Sequence, residues 1–182
     1  FDTVNGVGNG NELETTLGTV AARATAAGDI NLYQFGALTI GTVGGFSGLS
    51  TANGNVIVEL ASAGTLTVSG IVNAQTNGNV TLIASAGDIQ VNADVLSTAL
   101  TSGNLGDGSG TITLNAQGGA ITTNGSGSVK SAGGSLKLDA ATGVGDSAAR
   151  IPVTTATLAA QTTTSGGVFL TETDSVALGT VG

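Results

Sequence analysis

The sequence predicts an all-β fold, a parallel β-helix (β-solenoid) with about 24 residues per coil and two longer coils. Three observations carry this. Val, Ile and Leu recur two residues apart in short runs, with Thr, Asn, Gln or Ser between them, as in Val80-Thr81-Leu82 and Ile89-Gln90-Val91. That is the period of a strand with one face buried. The runs open on glycine at Gly28, Gly54, Gly78, Gly110, Gly134 and Gly166, in steps of 26, 24, 32, 24 and 32 residues. A second run follows most openings after a short bend: Leu38-Thr39-Ile40, Leu66-Thr67-Val68, Ile89-Gln90-Val91, Ala120-Ile121-Thr122 and Val176-Ala177-Leu178. A repeat of this length made only of short strands buries its apolar edge by stacking on its neighbours.

Taken in order, residues 1–27 are the ambiguous part. Glu12 to Ala24 places Leu13, Leu17, Val20 and Ala24 on one side of a helix. The related stretch Ile151 to Ala160 contains the only proline and is rich in Thr, which reads as strand. Both stretches are therefore expected to be strand and loop. From Gly28 each coil follows the pattern Gly-x-aliphatic-x-aliphatic, closed by Gly, Asn or Ser, residues that permit tight bends. The two 32-residue steps are expected to carry insertions, near Ser97–Ser109 and near Thr142–Thr157. The first contains Ser102-Gly103-Asn104-Leu105-Gly106-Asp107-Gly108, read as a surface loop. Such loops are the usual binding elements of a solenoid.

A longer likeness overlies the coils. Val20 to Gly44 matches Leu158 to Gly182 at an offset of 138 residues, with nine identities in 25 pairs, ending in the shared block Gly-Thr-Val-Gly. The whole chain, 1–182, is expected to be one solenoid segment. A super-repeat running from Gly28 to Ser165 is partly repeated at both ends. The absence of visible polar caps, and the opening Phe1-Asp2-Thr3, make it expected to belong to a longer tandem array.

Composition narrows the function. The chain holds 182 residues and 31 glycines, is 3% aromatic and 9% charged, and has no histidine or cysteine. Ser-His triads, Cys nucleophiles and common transition-metal sites are thereby excluded. Net charge is −8, with Arg23, Lys130, Lys137 and Arg150 scattered, so neither nucleic acid nor an anionic membrane is an expected partner. No apolar run reaches the length of a membrane-spanning helix.

Carboxylates remain as candidate chemistry. Sugar-cleaving acids must converge from neighbouring coils, yet Asp88 is flanked in adjacent coils by Thr65 and Ala120, and Asp94 has no acidic counterpart. Asp139 and Asp146 flank a loop near Arg150, and surface charge is the expected role of these four acids. Structural calcium would draw on Asp107, or on Asp139 with Asp146. The tandem nonapeptide of a calcium β-roll is missing, so no metal site is assigned. Ice binding would want an outward Thr column; the reading Thr39, Thr67, Gln90, Thr122, Ala177 breaks twice. Gly6-Val7-Gly8-Asn9-Gly10 lacks the Lys of a phosphate loop and reads as a turn. No catalytic, cofactor-binding or metal residue is expected.

The segment Gly143-Val144-Gly145 through Thr154-Thr155-Ala156-Thr157-Leu158-Ala159-Ala160-Gln161 to Glu172, with the coils Gly78-Asn79-Val80-Thr81-Leu82 and Ala86-Gly87-Asp88-Ile89-Gln90-Val91, resembles the repeat regions of large bacterial surface exoproteins of the filamentous haemagglutinin type. The resemblance covers nearly the whole chain. It implies a right-handed parallel β-helix, secretion to the cell exterior, and a role in adhesion or as a stalk or extracellular fibre. The expected role is thus a rod-forming structural segment without enzymatic activity. Its partners would be further copies of the same repeat, with host or matrix glycan or protein as possible targets. The alternative expectation is a module that binds glycan or calcium through its inserted loops. A polysaccharide-active enzyme is a weaker one.

Overall fold

A computed structural model describes residues 1–98, 100–101, 104–105 and 108–181. The chain winds through about seven stacked turns and contains no helix among the described residues. Each full turn crosses three faces. Face A is built by Leu13–Thr15, Ile30–Gln34, Val56–Leu60, Val80–Ala84, Thr111–Ala116 and the later halves of Val129–Ala140 and Ile151–Thr162. Face B holds Thr19–Val20, Leu38–Ile40, Leu66–Val68, Ile89–Val91, Ala120–Thr122 and Gly143–Val144. Face C holds Asp2–Thr3, Ala22–Ala27, Leu49–Asn53, Val72–Ala74, Val95–Leu96, the earlier halves of the two twelve-residue strands, and Leu170–Glu172. Neighbouring coils pair in parallel on every face, so the axis advances by about 4.8 Å per turn.

The alternation in the sequence becomes columns of side chains. Ile30, Val56, Val80, Ile112, Leu136 and Leu158 stack in register, as do Leu32, Val58, Leu82, Leu114 and Leu138. Face B adds Leu38, Leu66, Ile89 and Ile121. All these residues are buried and join one continuous core. Aliphatic columns of constant width let each layer fill the space left by the next without rotamer strain.

The opening glycines form a column of their own at the corner between faces C and A. A Cβ on Gly78 would lie 2.1 Å from the carbonyl oxygen of Gly54, and one on Gly110 would lie 2.2 Å from that of Gly78. The repeat therefore needs glycine here because the backbone of one coil rests on that of the next.

The first five glycine openings sit where the sequence places them. Residues 1–27 contain only strands, turns and loops among the described residues, as expected. The sixth opening is corrected. Gly166 does not begin a face A strand; Val168 bridges Val144, which puts it on face B. The face A strand of that coil comes earlier, where Leu158 pairs with Leu136. Ile151–Thr162 runs as one strand across faces C and A, and the register slips between Ser131 and Ser135 where the glycine corner is skipped. The expected second insertion near Thr142–Thr157 is accordingly absent. Gly143–Val144 and Ile151–Thr162 are strands of the solenoid, and the excursion between them is short. The two members of the 138-residue match also lie on different faces: Ile30 is on face A and Val168 on face B.

A real excursion occurs where no insertion was expected. Thr42–Val43 and Phe46–Ser47 form a small antiparallel hairpin between faces B and C. Its signal was the Gly44-Gly45 pair, a common two-residue hairpin turn. The long step from Gly78 to Gly110 does contain an excursion, with Leu100–Thr101 antiparallel to Asn104–Leu105.

Candidate functional site

The described acids singled out in the sequence occupy separate places, and all but Asp139 brace backbone. Asp88, at the bend between faces A and B, accepts the Ala120 N–H of the next coil at 2.8 Å. Asp94, between faces B and C, accepts both the N–H and the hydroxyl of Ser128, at 3.1 and 2.5 Å, and lies 3.9 Å from Lys130 Nζ. Asp139 points out from face A and accepts Gln161 Nε2 at 3.2 Å. Asp146 folds onto its own loop, accepting the N–H groups of Ala148 and Ala149 at 2.7 and 2.8 Å. Arg150 stacks over Phe169 at 5.8 Å instead of pairing with either acid. Among the described residues no three acidic side chains gather into a metal-holding group. Asp107 lies outside the described residues.

The outward column of face B is Thr19, Thr39, Thr67, Gln90 and Thr122. Ala177, expected at its end, instead pairs with Thr157 on face A. Gly6 to Gly10 is a turn, as expected, with Val7 bridging Ile30.

The polar groups that matter most to the molecule are ones the sequence reading did not single out. Along the entry to face A, each coil holds the next by a side-chain ladder. Asp29 Oδ1 accepts Asn55 N–H at 2.7 Å, Asn55 Oδ1 accepts Asn79 N–H at 3.0 Å, and Asn79 Oδ1 accepts Thr111 N–H at 2.8 Å. Just inside the corner, buried hydroxyls serve the glycine carbonyls. Thr51 donates to Gly54 O, Ser97 to Gly78 O, Ser131 to Gly110 O and Thr155 to Gly134 O, at 2.5 to 3.0 Å. Only Thr51-x-x-Gly54 was a local signal, since Ser97, Ser131 and Thr155 serve glycines of the preceding coil. A buried carbonyl without a partner costs free energy, so a hydroxyl is preferred here over a methyl.

Gln34 is fully buried at a core position where later coils carry Leu60, Ala84 and Ala116. Its amide donates to Leu17 O and Phe35 O, each at 2.9 Å, and accepts from Thr15 Oγ1 at 2.6 Å and Leu17 N–H at 3.0 Å. It fixes the loop after Leu13–Thr15 on the coil below. Asn73 is the opposite case: 2% exposed, it has no hydrogen-bond partner for either amide atom.

The surface carries aromatic contacts and an apolar groove. Tyr33 and Phe35 meet edge to face on face A, with ring centroids 5.3 Å apart. Arg23 grips Asp2 through two hydrogen bonds of 3.0 and 2.9 Å and lies 5.1 Å over the Phe46 ring of the hairpin. The hydrogen bonds from Arg23 hold the Asp2 carboxyl below its usual range. An apolar groove of about 240 Å³ is lined by Phe1, Leu17, Thr19, Val20, Ala21 and Val43 beside Thr19–Val20, the end strand of face B. No family model matches the chain, and no curated protein or solved structure matches it either.

Proposed function

We propose that the chain is a rod-forming structural segment of an extracellular bacterial adhesin or matrix fibre. The observation that carries this reading is the parallel pairing of the inward face A columns from coil to coil, which makes the stack itself the main product of the sequence. Its polar side chains serve the same end, since Asp29, Asn55, Asn79, Asp88 and Asp94 all bond the backbone or side chains of the following coil. In this role the molecule resists bending because every coil is held on three faces to its neighbours. Further copies of the repeat, in one chain or one fibre, extend the rod, and it carries no catalytic function. The resemblance to filamentous haemagglutinin-type exoproteins supports a place outside the cell. Immunogold labelling of the native source tests this. Gold along surface filaments or shed fibres is the expected result, and label confined to the cell interior overturns it.

A second reading assigns glycan binding to an excursion from the coil. The hairpin supports it, because Phe46 is exposed and Arg23 and Asp2 lie beside it. A glycan array answered by the intact chain but not by Phe46→Ala supports that reading, and a blank array removes it.

A further inference from the structure

Five asparagines precede glycine in this chain: Asn5, Asn9, Asn53, Asn77 and Asn124. This dipeptide is the one most open to self-modification, because glycine leaves its own nitrogen unshielded. That nitrogen attacks the asparagine side-chain carbonyl carbon. The reaction needs two freedoms: the amide must swing over the following nitrogen, and that N–H must be free to react.

The structure withholds these freedoms unequally. Asn77 Oδ1 is held by the Ser109 hydroxyl at 2.9 Å and approached by the Ser109 N–H at 3.4 Å, while Gly78 N–H donates to Gln75 O at 3.3 Å. Asn124 Oδ1 accepts Ser126 N–H at 2.9 Å, and Gly125 N–H donates to Thr123 Oγ1 at 3.0 Å. Gly6 N–H donates to Thr3 Oγ1 at 3.2 Å, which engages the nucleophile after Asn5. Asn9 Nδ2 donates to Asn5 O at 3.2 Å. Asn53 is exposed, and no group among the described residues hydrogen-bonds its side-chain amide.

We infer that Asn53 is a spontaneous modification site, converting through a cyclic imide to isoaspartate, and that this unlocks the stack at one chosen layer. Gly54 N forms a bond to Asn53 Cγ and gives up its proton, the bond from Cγ to the amide nitrogen breaks, and ammonia leaves. Water then opens the ring at either carbonyl, giving aspartate or isoaspartate, with no change of oxidation state. Isoaspartate routes the main chain through the side chain and adds one methylene immediately before Gly54. That is the place with least room: a Cβ on Gly54 would already lie 2.2 Å from Gly28 O. The next residue, Asn55, binds Asp29 through both its N–H and its Nδ2, at 2.7 and 3.2 Å. The added length displaces Asn55 from Asp29 and adds a negative charge beside that carboxylate. Asn9 lacks this consequence, because nothing lies within 4 Å of a Cβ on Gly10.

The test is to age the folded 182-residue chain at mildly alkaline pH and map the five peptides by mass spectrometry with fragmentation that distinguishes isoaspartate. Asn53 is expected to convert about tenfold faster than Asn77 and Asn124, the difference one or two amide hydrogen bonds impose. In denaturant the five rates are expected to draw together. Ser109→Ala, which removes the shorter of the two hydrogen bonds to the Asn77 amide, is expected to speed Asn77 toward the Asn53 rate. Aged chain is expected to lose thermal stability, and aged Asn53→Ala to keep it. Folded Asn77 or Asn124 converting as fast as Asn53 overturns the inference, as does an aged Asn53→Ala chain that loses as much thermal stability as the aged parent. None of these outcomes depends on where the protein acts.

Discussion

Single side chains decide whether a coil closes. Gln34 is the clearest case, because four hydrogen bonds converge on one buried amide. Gln34→Leu places there the residue of the next coil, Leu60, but leaves the Leu17 N–H and C=O without their Gln34 partner. It is expected to lower stability by about 2–4 kcal/mol, read as a shift of the urea midpoint. Thr76 is the only non-glycine residue with positive φ among the described residues, at 66°. Thr76→Asn, which tolerates that conformation, is expected to raise the melting temperature, against the loss of one exposed hydrogen bond to Ala52 O at 3.2 Å.

Glu172 responds to pH at the same scale. Burial pushes its carboxyl above the ordinary range, and the neighbouring Asp174 adds to the shift. A raised folded pKa means that the folded chain holds the proton more tightly than the unfolded chain. Stability from this group is therefore full below the unfolded pKa and falls as pH rises through the folded one. Glu172→Gln is expected to be more stable than the parent at neutral pH, with the gap closing in acid, as thermal melts across pH would show.

At the scale of the element, the corner glycines and the inward columns carry the repeat. Gly78→Ala forces a methyl group against the Gly54 carbonyl and is expected to cost at least about 2 kcal/mol. Gly18→Ala is the control: nothing lies within 4 Å of its Cβ and its φ is not positive, so it is expected to be neutral or slightly stabilising. Leu82→Ala is expected to cost about 2–5 kcal/mol, since Leu82 is fully buried between Val58 and Leu114. Denaturant melts of the three variants rank the contributions directly.

The same elements show what the sequence could disclose. Period-two alternation and glycine spacing locate faces A and B from Gly28 to Gly134, because inward aliphatics and a tight corner each demand one residue type. They fail at Gly166 because the preceding coil turns its corner inside Ile151–Thr162 without glycine, leaving the later glycine free for another bend. The Asp29–Asn55–Asn79 ladder was hidden for a different reason. A surface asparagine and a bracing one look alike until the register between coils is known. Gln34 was hidden because its partners, Thr15 and Leu17, lie in the preceding coil and follow no repeat.

For the whole molecule the central claim is that coils stack along one axis to make a rod, with strands lying across its length. About seven turns at roughly 4.8 Å give a described stack on the order of 30 Å tall. The most direct test is high-resolution electron microscopy with diffraction of the native material. The account predicts thin filaments with a reflection near 4.8 Å directed along the filament axis. Compact particles, or filaments whose strand spacing runs across the axis, would contradict it.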